Sequence, residues 1–306
     1  MTTMTLDFSI IIPTYNRPDR LGQCLQSLAQ LDYPRPCFEV IVVDDGSQQP
    51  LAPIVSQFEV SLKLRLLRQQ NAGPASARNT GATAAQGNYL VFTDDDCQPQ
   101  PHWLTALAAA ILKVPTALIG GHTLNALPDN PYSTASQLLI DYLYSYYNQA
   151  PAAATFFASN NFAVPRDLYQ TVGGFDTSFP LAAGEDREFC DRWRHHGLPM
   201  HYAPEATVYH SHSLTLASFW RQHVNYGRGA FYFHQLRSRR QAEPMQVEPL
   251  SFYTNLLTYP YSQKLGKRAP LLSGLFFVSQ VANVAGFFWE RYHQKASLSA
   301  AKAASS

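Results

Sequence analysis

Three consecutive carboxylates, Asp94, Asp95 and Asp96, close an apolar run in "YLVFTDDDCQP". Like charges packed at the end of a buried segment repel unless something neutralises them. A second acidic pair, Glu185 and Asp186 in "GEDREFCDRW", opens a helical pattern. The helix dipole favours a carboxylate there, Gly184 permits a tight entry, and a carboxylate so placed can accept a proton from a hydroxyl. "VYHSHS" puts His210 and His212 two apart, on one face if the segment is a strand. Each feature has a plainer reading: a polar strand-end turn, an acidic first helical turn, and a hydrogen-bonded surface histidine.

These groups can act together only if the fold gathers them. Apolar runs of four to seven residues alternate with helical patterns, which predicts an α/β chain with a mostly parallel sheet covered by helices. "FSIIIPT", "FEVIVVDD", "LKLRLLR" and "NYLVFTDD" read as four strands. Leu21, Leu25, Leu28 and Leu31 form the apolar face of a helix between the first two. "GPASARNTGATAAQG" reads as a small-residue helix between the last two, and "HWLTALAAAIL" and "TALIGG" as the following helix and strand. In an open sheet of this kind ligands bind beyond the carboxyl ends of the strands. Three ends, "PTYNR", "VVDDGS" and "FTDDD", point polar residues at one crevice. After about residue 125 the rhythm changes to a Leu/Tyr-rich helix, a turn-rich segment and a short helix, and the Pro-punctuated stretch from Glu243 to Pro270 reads as a linker.

At 306 residues and 46 % hydrophobic the chain can bury a full core. A net charge of +1 leaves no basic excess for general nucleic-acid binding, so partners are sought at local sites. Cys24, Cys37, Cys97 and Cys190 are scattered without C-x-x-C or a disulfide framework, favouring a reducing compartment. The start "MTTMTLDFSIIIPTYNR" shows no export signal, so the active part is expected to face the cytoplasm.

The motifs "SIIIPTYNR", "EVIVVDDGS", "NAGPASARNTG", "FTDDDCQPQPHWL", "GGFDTSF", "GEDREFCDRWRHHG" and "VYHSHSLTLASFWRQ" occur in the order found in the family 2 glycosyltransferases, which residues 8–235 resemble. The resemblance implies a GT-A fold, a nucleotide-sugar donor, a divalent cation (Mg2+ or Mn2+) and inversion at the anomeric carbon. Departure of a diphosphate explains the cation, since oxygen ligands hold a hard ion that offsets its charge. By resemblance Asp96 binds the metal, with His210 favoured over His212 as a further ligand, and Asp94 or Asp95 orients the ribose and donor sugar. In an extended segment Asp94 and Asp96 would face one way and Asp95 the other. Asp45 is assigned to the nucleobase, Pro13, Thr14 and Tyr15 to its pocket wall, and Arg78 to the base and diphosphate region. Asp186 is the expected base and Glu185 the acceptor's hydrogen-bonding partner. Where processive synthases carry Q-x-x-R-W, this chain has Gln222, Asn225 and Tyr226, which favours transfer of a single sugar. Arg221 or Arg228 is left to contact the diphosphate. A sugar nucleotidyltransferase would be expected to carry a Gly-rich basic loop where "PTYNRPDR" stands, and a nucleotide-sugar-binding regulator would not need "GED".

The expected organisation is a transferase domain over 1–240, with a nucleotide half to about 125 and an acceptor half from 126, followed by a linker and C-terminal apolar helix over 241–306. Ala269 to Trp289 carries no charge and is long enough to cross a bilayer. Its Ser279, Gln280, Asn283, Pro270 and Gly286 fit an interfacial or packing helix as well. Association with the inner face of the cell membrane and a saccharide or lipid-linked acceptor are therefore expected, in cell-envelope polysaccharide or glycolipid synthesis.

Overall fold

The computed structural model describes residues 7–150, 154–179, 183–241 and 248–304. Residues 1–6, within the segment read for an export signal, and 243–247 of the expected linker lie outside them. Eight strands form one sheet: β1 (Phe8–Thr14), β2 (Phe38–Asp44), β3 (Leu64–Arg68), β4 (Tyr89–Thr93), β5 (Cys97–Pro99), β6 (Leu118–Asn125), β7 (Asn161–Pro165) and β8 (Met200–His210). Their order is β3-β2-β1-β4-β7-β6-β8-β5. The first four are mutually parallel, as the alternation with helices requires. β1 and β2 are buried at every position, the property of strands covered on both faces. Their apolar side chains share a core with Leu21, Leu25 and Leu28 of α1 (Pro18–Leu28).

β7 runs antiparallel to both β4 and β6 and interrupts the parallel run. The segment read from sequence only as turn-rich therefore contains a central strand. Its first residue, Asn161, is fully buried and satisfied: it accepts from Trp103 Nε1 at 2.9 Å and donates to the carbonyls of His122 at 3.0 Å and Ala206 at 2.9 Å. A buried amide with all these partners ties β6 and β8 together where their register shifts.

Helices α2 (Ala52–Val55), α3 (Pro74–Ala84), α4 (Trp103–Lys113), α5 (Pro131–Tyr147), α6 (Arg166–Val172), α7 (Glu185–His195), α8 (Leu216–Gln241), α9 (Leu250–Ser262) and α10 (Ala269–Ala304) complete the chain. Two compact units result. The first is Met1–Leu127, Leu143–Thr177 and Phe189–His212 and holds the sheet; the second is Pro128–Tyr142, Ser178–Glu188 and Ser213–Ser306. Within the second, α9 corrects the linker expectation over Leu250–Ser262. Phe252, Leu256 and Pro260 recur every four residues and are all buried, so the apolar period overrides the Pro punctuation.

Candidate active site

The chain leaves β4 into a tight turn, and the Cys97 N–H donates to Asp94 O at 3.1 Å. The aspartates are therefore not extended, and the expected alternation of faces does not occur. Asp95 and Asp96 are buried and Asp94 is half-buried. Each carboxylate meets cationic side chains, Arg17 being shared by Asp95 and Asp96. Arg78 donates to Asp94 at 2.6 Å. Arg17 reaches Asp95 at 3.1 Å, with Thr14 Oγ1 donating to its other oxygen at 2.8 Å. Arg20 lies 2.9 Å and Arg17 3.4 Å from Asp96 Oδ2, while His210 Nε2 stands 3.2 Å from Asp96 Oδ1.

Strand pairing brings His210 there. β5 pairs antiparallel with β8 so that Cys97 lies opposite His210, and the Ser211 N–H donates to Asp96 O at 2.8 Å. Asp96, Cys97 and His210 thus place three possible ligand atoms within 4.8 Å of one another. Burial opposes the Asp96 charge, but the hydrogen bond and charge of His210, with Arg17, outweigh it and hold the carboxyl below its ordinary range. Burial likewise disfavours a charged His210, and Asp96 overcomes it, raising the imidazole. Burial pushes Asp95 up to about 6, Arg17 and Thr14 opposing and the neighbouring aspartates adding. His212 lies past the end of β8 and is pushed down to about 4 by burial, then by the charge of His210. Burial keeps Cys97 a neutral thiol. The groups offered to a hard cation here are a carboxylate and an imidazole, with the thiol as packing.

Arg17 and Arg20 were not singled out from the sequence. They stand three apart where α1 begins, on one face, and cations at a helix N-terminus are unfavourable without acids beside them. That local conflict is the signal in "PTYNRPDR" that points to the aspartates.

At the second strand end, Asp45 is buried and organises the loop into α3. Its carboxylate accepts from Gln69 Nε2 at 2.7 Å and from the N–H groups of Ala72 and Gly73, each at 2.9 Å. Gly46 takes φ 86°, and a Cβ there would stand 2.9 Å from Asn71 N, so "DDGS" needs its glycine. Pro13 and Thr14 are buried at the end of β1, and Tyr15 is exposed beside them. Arg78 is buried, 5.5 Å from the Phe175 ring centroid.

Glu185 and Asp186 occupy the first turn of α7, in the second unit, Glu185 buried and Asp186 half-buried. Asp186 Oδ1 accepts from the Arg187 N–H at 2.7 Å, and Glu188, one turn on, pairs with Arg240. Arg192 donates to the carbonyls of Val172 and Gly174, both at 2.6 Å. Arg228 is 2.7 Å from Glu290.

An open α/β sheet that gathers carboxylates and arginines at the carboxyl ends of its parallel strands has a ligand site in that crevice. Residues 9–173 match the sequence profile of glycosyl transferase family 2, and the chain belongs to that family. It is a glycosyltransferase of the GT-A fold that takes its sugar from a nucleotide-sugar donor. It is 29 % identical over 212 residues to glycosyltransferase AglE of Haloferax volcanii, covering 68 % of each chain. To validoxylamine A glucosyltransferase of Streptomyces hygroscopicus subsp. jinggangensis it is 30 % identical over 226 residues, 65 % of this chain and 54 % of that longer protein. Its fold matches the mannosyltransferase PcManGT from Pyrobaculum calidifontis, solved in complex with GDP-Man and Mn2+, with TM-score 0.67 at 18 % identity over 94 % of this chain and 88 % of that one.

Proposed function

We propose that the enzyme is inverting and metal-dependent and moves one sugar at a time onto a saccharide or lipid-linked acceptor at the cytoplasmic face of the cell membrane, in cell-envelope polysaccharide or glycolipid synthesis. On this reading residues 1–240 are the transferase domain and 241–306 its membrane-facing appendage. The contact of Asp96 Oδ1 with His210 Nε2 at 3.2 Å carries the proposal. Two ligands about 2.1 Å from one cation and at a right angle to each other lie about 3 Å apart. The hydrogen-bonded pair is already spaced as neighbouring ligands, the imidazole ligating once it gives up its proton, and the carboxylate suits Mn2+ or Mg2+. The Mn2+ and GDP-Man held by PcManGT support the same reading. Such a cation, when bound, offsets the charge of the departing diphosphate.

The chain's own residues supply the rest. Asp45, Pro13, Thr14 and Tyr15 are assigned to the nucleobase pocket, and Asp94 and Asp95 to the ribose and donor sugar. Arg17, Arg20 and Arg78, already beside the aspartates, add positive charge for the phosphates. Glu185 holds the acceptor. Asp186 takes the proton of the acceptor hydroxyl as its oxygen attacks the anomeric carbon from the side opposite the leaving group. The bond from that carbon to the diphosphate oxygen breaks, the nucleoside diphosphate leaves with the electron pair, and the configuration inverts.

A panel of nucleotide-sugars, assayed for nucleoside diphosphate release with and without Mn2+, tests this. The expected result is release from one donor, dependent on the cation and accelerated by an acceptor. Pyrophosphate formation from a sugar phosphate and a nucleoside triphosphate, without diphosphate release, would contradict it.

A further inference from the structure

Helix α10 is the one helix among the described residues long and apolar enough to cross a membrane. Both of its faces are apolar, and only one is covered. Leu272, Phe276, Ser279, Ala282, Gly286 and Glu290 are buried. That face lies against α8 at backbone distance: a Cβ on Gly227 would stand 1.9 Å from Asn283 O, and one on Gly286 2.0 Å from Val224 O. The pairing continues through Arg228 and Tyr232, both 2.7 Å from Glu290 oxygens, to Gln235 and Gln294 at 3.3 Å. On the opposite face Phe277, Val281, Val284, Phe288 and Tyr292 each leave at least 43 % of their surface exposed. This stripe runs roughly 22 Å at the helical rise.

A spanning α10 would have to leave α8 or carry it into hydrocarbon. Leaving would break a buried ion pair, and carrying α8 would immerse Gln222, Arg228 and Gln235. A helix lying in the membrane plane needs neither, because its packed face stays on the protein while its exposed face meets lipid. Charge identifies the kind of surface. From Pro249 to the C-terminus Glu290 is the only acidic residue, and it is buried against Arg228. Lys264, Lys267 and Arg268 lead into the helix and Arg291 flanks the far end, all exposed. Trp289 and Tyr292, apolar rings with polar tips, stand at that end too.

Resting on the reading above that the enzyme works at a membrane, we propose that α10 is an in-plane anchor. Its Phe277–Tyr292 face inserts into the headgroup boundary of an anionic bilayer, and its basic ends contact the lipid phosphates.

Deleting α10 would strip α8 of its packing partner, so point variants of the full chain are the test. The parent should float with vesicles containing phosphatidylglycerol and stay behind with purely zwitterionic ones at physiological salt. Phe277→Glu and Phe288→Glu should each weaken flotation about tenfold or more while leaving nucleoside diphosphate binding unchanged. Gln263→Cys and His293→Cys bracket the apolar stretch of the helix. Protein added to preformed vesicles should react at both with a membrane-impermeant maleimide, above the background of the parent's own thiols. Flotation with one end shielded until detergent is added would overturn the in-plane anchor and leave the membrane reading standing. No flotation with any vesicle, or dimers that the glutamate variants dissolve, would overturn both.

Discussion

Asp96→Ala is expected to abolish transfer, lowering the rate by about 10³-fold or more, the scale of a cation's contribution to stabilising a departing phosphate. The side chain is 6 % exposed and joins Arg17, Arg20 and His210 at one point. Removing it leaves three cationic or cationisable groups facing one another and takes the carboxylate from the proposed ligand pair. Mn2+-dependent donor binding should fall with turnover, whereas donor binding without metal should change little. Isothermal titration of donor with and without Mn2+ reads this directly, and the melting temperature separates lost binding from lost folding. Equal metal-dependent affinity in variant and parent would remove Asp96 from the site.

Asp186→Asn separates chemistry from binding. The substitution keeps the shape of the side chain and removes its capacity to accept a proton. Donor affinity should survive while the chemical step slows by about 10² to 10⁴-fold, the usual span for a positioned general base. If Asp186 served only as a favourable charge in the first turn of α7, the change would cost about 1 kcal/mol of stability or less and leave turnover within a few-fold of the parent. Donor affinity, melting temperature and single-turnover rate on the same protein distinguish the outcomes. Near-normal turnover would move the role to Glu185 or Asp191.

The parallel half of the sheet was legible because β1, β2 and β4 are short apolar runs ending in polar turns. β7 was not, since "NFAVP" is five residues bounded by asparagines and a proline, and its antiparallel place is set by partners on β4 and β6. β8 carries Pro204 and exposed positions that blur its alternation, and β5 is only three residues long. In the expected linker, Pro260 sits buried inside α9 in register with Phe252 and Leu256, a packing that a lone proline does not announce.

The site divides in the same way. The aspartates announced themselves as adjacent charges that local sequence leaves unpaired. Of their partners, His210 was legible only through the family resemblance, while Arg17 and Arg20 did not stand out, because they reach the aspartates from the start of α1, a contact of tertiary origin. The helix at Ala269 was legible as apolar, but its two faces are told apart only by where α8 lies.

The most direct test of the donor-site assignment is to locate Mn2+ by anomalous diffraction in crystals of the full chain soaked with Mn2+ and the nucleoside diphosphate of the responsive donor. One strong peak is expected, bonded to the Asp96 carboxylate and the His210 imidazole at about 2.1–2.2 Å, with diphosphate oxygens completing its shell. A nucleotide bound at the carboxyl ends of β1, β2 and β4 with its metal elsewhere, or with no metal at saturating Mn2+, would contradict it.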